Sequence, residues 1–174
     1  MESDSYNQQQ LDDLFFEILK EEKGNVKAIQ HLVKVHSFAR SIAVGEKVDL
    51  PTLITIEAAA YLHRIGVKPA EEKYGKCDGA TQEQEGPIIA QFILTELGFD
   101  NYIVERVCYL IGHHRTFDQI EDEDLRILVE AEMLVSLYEN EEGESEQRRC
   151  FNEFFRTETG SKIFQALYRI EEEE

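Results

Sequence analysis

Glu57-Ala-Ala-Ala-Tyr-Leu-His63-Arg64-Ile-Gly66 reads as the last two turns of a buried helix. Three consecutive alanines let neighbouring helices approach closely, and Gly66 offers an exit with positive φ. At the end of this apolar run an imidazole and a guanidinium stand side by side. A histidine there can ligate a metal. An arginine stays protonated and has no lone pair to give. The chemistry of the chain turns on which of the two governs the site.

Outward from that stretch the apolar residues recur at helical spacing. Leu11 to Lys20 carries Leu11, Leu14, Phe15, Ile18 and Leu19 on one side, and Gly24 ends that helix. Asn25 suits an N-cap for a helix from Val26 to Val44. Asp49 or Thr52 can cap the helix that holds the opening stretch, with Pro51 in its first turn. Val67 to Glu83 breaks the periodicity and reads as a long loop. Further helices are expected over Pro87–Leu97, Tyr102–His114, Asp124–Tyr138 and Gln147–Ile163, the last broken at Gly160. The Glu171–Glu174 tail opposes the helix dipole and should fray. With no strand pattern and no repeat, the expectation is an all-α fold of six to eight helices. It is expected to be a single domain over 1–174, with a core at about 24–140 and a C-terminal helical extension at about 145–170.

The 174 residues are 42% hydrophobic and 31% charged, enough apolar content for a sizeable core. No run reaches the ~18 apolar residues of a membrane span. The opening Met-Glu-Ser-Asp-Ser-Tyr lacks a signal-peptide pattern, and Cys77, Cys108 and Cys150 lack metal-type spacing. A cytoplasmic protein with free thiols is expected. A net charge of −18 argues against nucleic acid and against an anionic membrane as partners. A small anion remains open where local cations override the global field. The densest basic patch is Arg64, Lys68, Lys73 and Lys76. The oligomeric state is not set by these features.

Several polar residues interrupt apolar helical context: His31, His63, Arg64, His113, His114, Glu130 and Glu132, from four separate helices. Taken alone, His31 and His36 each read as a satisfied core or boundary histidine. Five residues apart, they cannot share a helix face. Glu130 and Glu132 sit within Ile-Leu-Val and Met-Leu-Val runs, so one or the other needs a partner or a cation. Imidazoles and carboxylates together suit a divalent Mn, Fe, Mg, Ni or Zn.

Taken together, His31-x3-Val35, Ala59-Ala-Tyr-Leu-His63-x-Ile65-Gly66, Ile111-Gly-His113-His114 and Ile127-Leu-Val-Glu-Ala131-x-Met-Leu-Val resemble the HD-domain superfamily of metal-dependent phosphohydrolases. The resemblance runs from about Gly24 to Tyr138. It is strongest to small bacterial single-domain members, which share the Lys73–Gly75 loop and the Glu85-Gly86-Pro87 helix start. It implies an HD-type helical bundle with His31, His63 and Glu132 as metal ligands, Glu132 standing where the family has aspartate. The aspartate of the His-Asp pair falls on Arg64, so that motif is altered. His113 and His114 match a region that contacts metal or phosphate in relatives, and either could assist catalysis. Lys68, Lys73, Lys76 or Arg115 would steer phosphate.

A guanidinium beside a cation brings repulsion of about 1 to 4 kcal/mol. The expectation is that Arg64 weakens metal binding and pairs instead with Glu132 or Glu130. Three readings follow. The first is an HD-type phosphohydrolase of a nucleotide or other small phosphate ester, using a divalent metal. The second is a catalytically inactive HD domain without metal, serving as a phosphate-ligand-binding or structural module. The third is an unrelated helical interaction protein.

Overall fold

The computed structural model describes residues 2–117 and 120–169, with side chains from residue 8 onward. Among them are α1 (Glu2–Glu21), α2 (Val26–Glu46), α3 (Leu50–Leu62), α4 (Val67–Tyr74), α5 (Gly79–Glu96), α6 (Asn101–Ile111), α7 (Glu123–Glu139), α8 (Glu144–Phe154) and α9 (Glu158–Tyr168). The described residues therefore hold nine helices, one more than expected, and no strand. The acidic tail lies outside them.

Helix α3 is the centre. Every residue from Ile54 to Ala60 is buried, and so is Leu62. A helix apolar all round must be surrounded. Here α2, α6, α1 and α7 pack against it. The Ala58–Ala60 run keeps those neighbours close. Asp49 caps α3 by accepting from Thr52 N at 2.9 Å.

Four differences from the periodicity have local causes. Helix α1 begins at Glu2 rather than Leu11, extended by Gln8→Asp12 and Gln9→Asp13 bonds of 3.0 Å one turn apart. The expected loop at 67–83 is mostly helical. Helix α4 buries only Ala70, too little to show as an apolar stripe. Helix α5 starts at Gly79, eight residues before Pro87. A capping box drives that start: Asp78 and Thr81 satisfy each other's backbone N–H groups. Pro87 then lies inside the helix, where one i→i−4 bond is missing. Finally, the C-terminal break falls at 155–157, where Thr157 caps α9 by accepting from Gly160 N at 2.9 Å.

Gly66 is needed for a different reason from the one expected. Its φ is −78°, not positive. A Cβ there would run into the backbone of Gln82 and Gly86. The corner between α3 and α4 lies directly against α5, and only glycine fits. Gly66→Ala is expected to cost about 3 kcal/mol, lowering Tm by roughly 6–12 °C in a thermal melt. An unchanged Tm would show that α5 simply moves away.

Helices α8 and α9 dock on α7 and α2. Phe151, Phe155, Phe164 and Tyr168 form an aromatic cluster, with Phe155 and Phe164 edge-to-face at 4.5 Å. Glu130, fully buried, accepts from Arg156 N at 2.8 Å, from Thr157 N at 3.0 Å and from the Thr157 hydroxyl. The buried carboxylate that needed a partner thus finds it in the N-terminus of α9. Gly160 is glycine because any side chain there would collide with that carboxylate.

Candidate metal centre

Three helices deliver three side chains to one point. Helix α2 places His31 near its start. Helix α3 ends at Leu62, and His63 is its C-cap. Helix α7 places Glu132 at mid-length. His31 Nε2 lies 2.9 Å from Glu132 Oε2 and 3.2 Å from His63 Nε2, and His63 Nε2 lies 3.2 Å from the same oxygen. All three residues are buried.

The protons on the far side of each ring are fixed. His63 Nδ1 is 2.8 Å from the Ala60 carbonyl, and His31 Nδ1 is 2.8 Å from Glu139 Oε2. Both partners can only accept, so both Nδ1 atoms donate. The Nε2 lone pairs therefore face each other and the Glu132 oxygen. Three acceptors converging in a dry site require a cation between them, either a proton or a metal.

Without metal, that proton belongs on His31. Burial pushes His31 down, but bonds to Glu132 and Glu139 outweigh it and leave its pKa raised. For His63 burial wins and the pKa is lowered. Glu132 is pushed up by burial, yet its bonds to both histidines and the charge of Arg115 hold it well below the usual range. The His31 contribution to metal-free stability is complete below pH 6.5 and fades as pH rises through its raised folded value. That of Glu132 is complete above 4.5 and is lost as pH falls through its depressed value. Calorimetry of the metal-free protein is expected to show this cluster stabilising most between those limits. His31→Gln should flatten the alkaline loss. A wild type gaining stability over that variant above neutral pH would contradict the proton's placement.

The same atoms fit a metal. Ligands about 2.1 Å from a common cation, at roughly 90–100° to each other, are separated by edges of this length. Two imidazoles and a carboxylate are a donor set known from three-ligand catalytic sites. Glu139 and the Ala60 carbonyl are the outer partners that hold ligand histidines in one tautomer. The His31–His63–Glu132 group is also a set of three potential ligand atoms lying within 4.8 Å of one another.

A cavity of about 360 Å³ opens onto the cluster. Arg64, Arg115, Lys27, Ser136 and Glu139 line it beside His31 and Glu132. The expected pairing of Arg64 with Glu132 or Glu130 does not occur. Arg115 takes Glu132 instead, Nη2 to Oε1 at 3.0 Å, and Glu130 faces α9. Arg64 is half-buried, and its guanidinium makes no hydrogen bond or ion pair with a described residue. It lines this cavity and a second one of about 350 Å³, which Arg115 also shares.

The lysine patch is elsewhere. Lys68 bonds the Glu21 carbonyl and faces Glu22 at 3.8 Å, Lys73 pairs with Glu85 at 2.8 Å, and Lys76 with Asp78 at 2.9 Å. None of the three lines either cavity. Composition showed the charges but not their local partners. The two adjacent histidines also part company. His113 is exposed, stacked on Tyr109 at 4.2 Å, and donates to the Tyr109 carbonyl. His114 is buried edge-on to His63, with ring centroids 5.6 Å apart. Its Nδ1 donates to the Ile111 carbonyl, and its Nε2 lies 3.3 Å from Gln82 Nε2. Burial drives its pKa down to about 3, and the positive charge of Arg115 adds to the effect. It is a neutral packing partner of His63, and neither histidine lines the cavity.

Four contributors are absent from the sequence reading. Gln82 donates to the His63 carbonyl at 2.7 Å. Lys34 pairs with Glu139 at 2.6 Å. Lys27 lies in the first turn of α2. Glu139 follows Glu132 by two helical turns with Ser136 between, and that polar stripe on an apolar helix was a usable signal. His36 lies outside the centre, bonded to Glu57 at 3.0 Å and stacked on Tyr61.

Fold and cluster together define a helical protein with a buried two-histidine, one-carboxylate centre. No protein-family model matches the sequence, and no curated protein matches it. Structural comparison finds a crystal structure of a predicted HD superfamily hydrolase from an uncultured Thermotogales bacterium. It is 29% identical, covers 93% of this chain and 84% of its own, and has a TM-score of 0.63. That likeness supports membership of the HD superfamily. None of the described helices is long and apolar enough to cross a membrane.

Proposed function

We propose that this protein is a metal-dependent phosphohydrolase acting on a small phosphate ester. The observation that carries this reading is the convergence of three lone-pair atoms, from His31, His63 and Glu132, with both ring protons fixed on the far side. That donor set suits a borderline divalent ion such as Mn, Fe, Ni or Zn. When bound, such an ion polarises a phosphoryl oxygen and lowers the pKa of a coordinated water.

The chain's own residues do the rest. Glu139 and Ala60 keep the protons on Nδ1, so both Nε2 atoms stay available. Arg115, anchored by Glu132 at one side, offers its remaining N–H groups to a phosphate. Arg64 and Lys27 add positive charge on the same cavity, which draws an anion into an otherwise acidic protein. Three protein ligands suffice for a catalytic centre that keeps positions open for water and substrate. Arg64 therefore takes the place of a fourth ligand without removing the chemistry.

One observation favours a second reading. The cluster can close on itself, with His31 protonated and Arg115 paired to Glu132. In that form it needs no metal, and the domain would bind a phosphorylated ligand without cleaving it. Hydrolysis of p-nitrophenyl phosphate by the Mn-loaded protein, beside Arg64→Asp, separates the two. The proposal expects Mn-dependent turnover by the wild type. Turnover by Arg64→Asp alone would sink it in favour of the second reading.

A further inference from the structure

We infer that the cavity takes its cation and an anion as an interdependent pair, Arg64 making tight binding of the cation conditional on the anion. The inference rests on the metal-centre reading above and goes beyond it in assigning a role to Arg64.

Arg64 lines the same cavity as His31 and Glu132, and its guanidinium forms no ion pair with a described residue. Arg115 is close enough to hold Glu132 Oε1 at 3.0 Å. Lys27, on the rim, likewise has no ion pair with a described residue. Glu139 brings no spare negative charge, since Lys34 and His31 already share it. The centre therefore faces three cationic side chains with one carboxylate, Glu132, and that carboxylate is already divided between the histidines and Arg115. A divalent cation entering this site alone meets repulsion, chiefly from the part-buried Arg64 and Arg115, since water screens the exposed Lys27. An anion lodged between the guanidiniums and the cation turns that repulsion into attraction on both sides. By linkage, the factor by which the anion tightens the cation equals the factor by which the cation tightens the anion.

The geometry also says where the anion sits. Arg64 and Arg115 line both adjoining cavities, so an anion held by the two stands at their junction. It faces the cluster on one side. The rest of an ester can extend past Gly79 and Gln82 on the other, where Glu71 and Asp78 also line the wall and favour a part without further negative charge.

The test is a titration of the metal-free full chain with Mn²⁺, with and without inorganic phosphate, followed by calorimetry and by the spin-resonance signal of free Mn²⁺. Phosphate is expected to tighten Mn²⁺ binding at least about tenfold in the wild type, and Mn²⁺ to tighten phosphate by the same factor. Arg64→Asp is expected to bind Mn²⁺ without phosphate and to lose the coupling. Arg64→Gln, which adds no charge, should fall between. Arg64 is half-buried and partnerless, so both variants should fold, which circular dichroism checks. Tight Mn²⁺ binding by the wild type regardless of phosphate would overturn the inference and leave the proposed function standing. No Mn²⁺ binding under either condition would overturn both.

Discussion

Glu132→Ala is expected to lose the bound divalent cation and all metal-dependent hydrolysis. Glu132 is the one carboxylate among the three converging atoms, and it is 2% exposed. Its removal leaves two imidazoles and two guanidiniums around the site and no anionic ligand. Loss of a mere outer partner at a metal centre typically costs 10- to 100-fold in affinity, so loss of a ligand should exceed about 100-fold. Stability falls as well. Arg115 and Ser136 each lose a partner 3.0 Å away, and protonated His31 loses one of its two carboxylates. Breaking a buried pair in this way costs about 3–5 kcal/mol. Glu132→Gln, of equal size, should lose the metal nearly as completely while keeping the Ser136 and Arg115 contacts in part. Calorimetric Mn²⁺ titration and thermal melts read the two effects separately. Unchanged Mn²⁺ affinity in Glu132→Ala would place the cation elsewhere.

Glu130→Ala is expected to produce a comparably large loss of stability with little effect on the centre. Three donors at the start of α9 converge on the Glu130 carboxylate. Each buried donor left unmet costs about 1–3 kcal/mol. A total near 4 kcal/mol corresponds to a Tm lowered by roughly 8–16 °C. The loss should begin at the C-terminus, because this carboxylate pins the α8–α9 connection to α7. Hydrogen exchange is expected to rise first at the amides of Arg156 to Ser161. Mn²⁺ binding well below Tm should persist, since Glu130 and Glu132 lie some 200° apart around α7. A variant that melts normally would mean that water replaces the carboxylate without penalty.

Much of this architecture was legible, and the misses share a cause. Apolar stripes located α2, α3, α6 and α7 because each buries a broad face. Helix α4, burying only Ala70, left no stripe. Gly66 was rightly marked, but its need comes from α5 packed against it, which no local pattern shows. At the site, His31, His63 and Glu132 stood out as polar residues in apolar helices, though only the fold could show that they meet. Glu130 and Glu132 looked equivalent in sequence because both are carboxylates in apolar runs. One turn direction separates a helix lock from the centre. The same holds for His113 and His114. Charge was the least legible feature. Lys68, Lys73 and Lys76 resembled a phosphate cradle, but each has an acceptor within reach. The cations that do face the cavity, Lys27, Arg64 and Arg115, are far apart in sequence, and of them only Arg64 belongs to the basic patch read there.

The central claim is that His31, His63 and Glu132 hold one divalent cation. Anomalous diffraction from crystals grown with Mn²⁺ and inorganic phosphate tests it most directly. A single anomalous peak in contact with His31 Nε2, His63 Nε2 and Glu132 Oε2 is the predicted result. Well-ordered density for those three side chains with no peak between them, or a peak only at some other group, would contradict it.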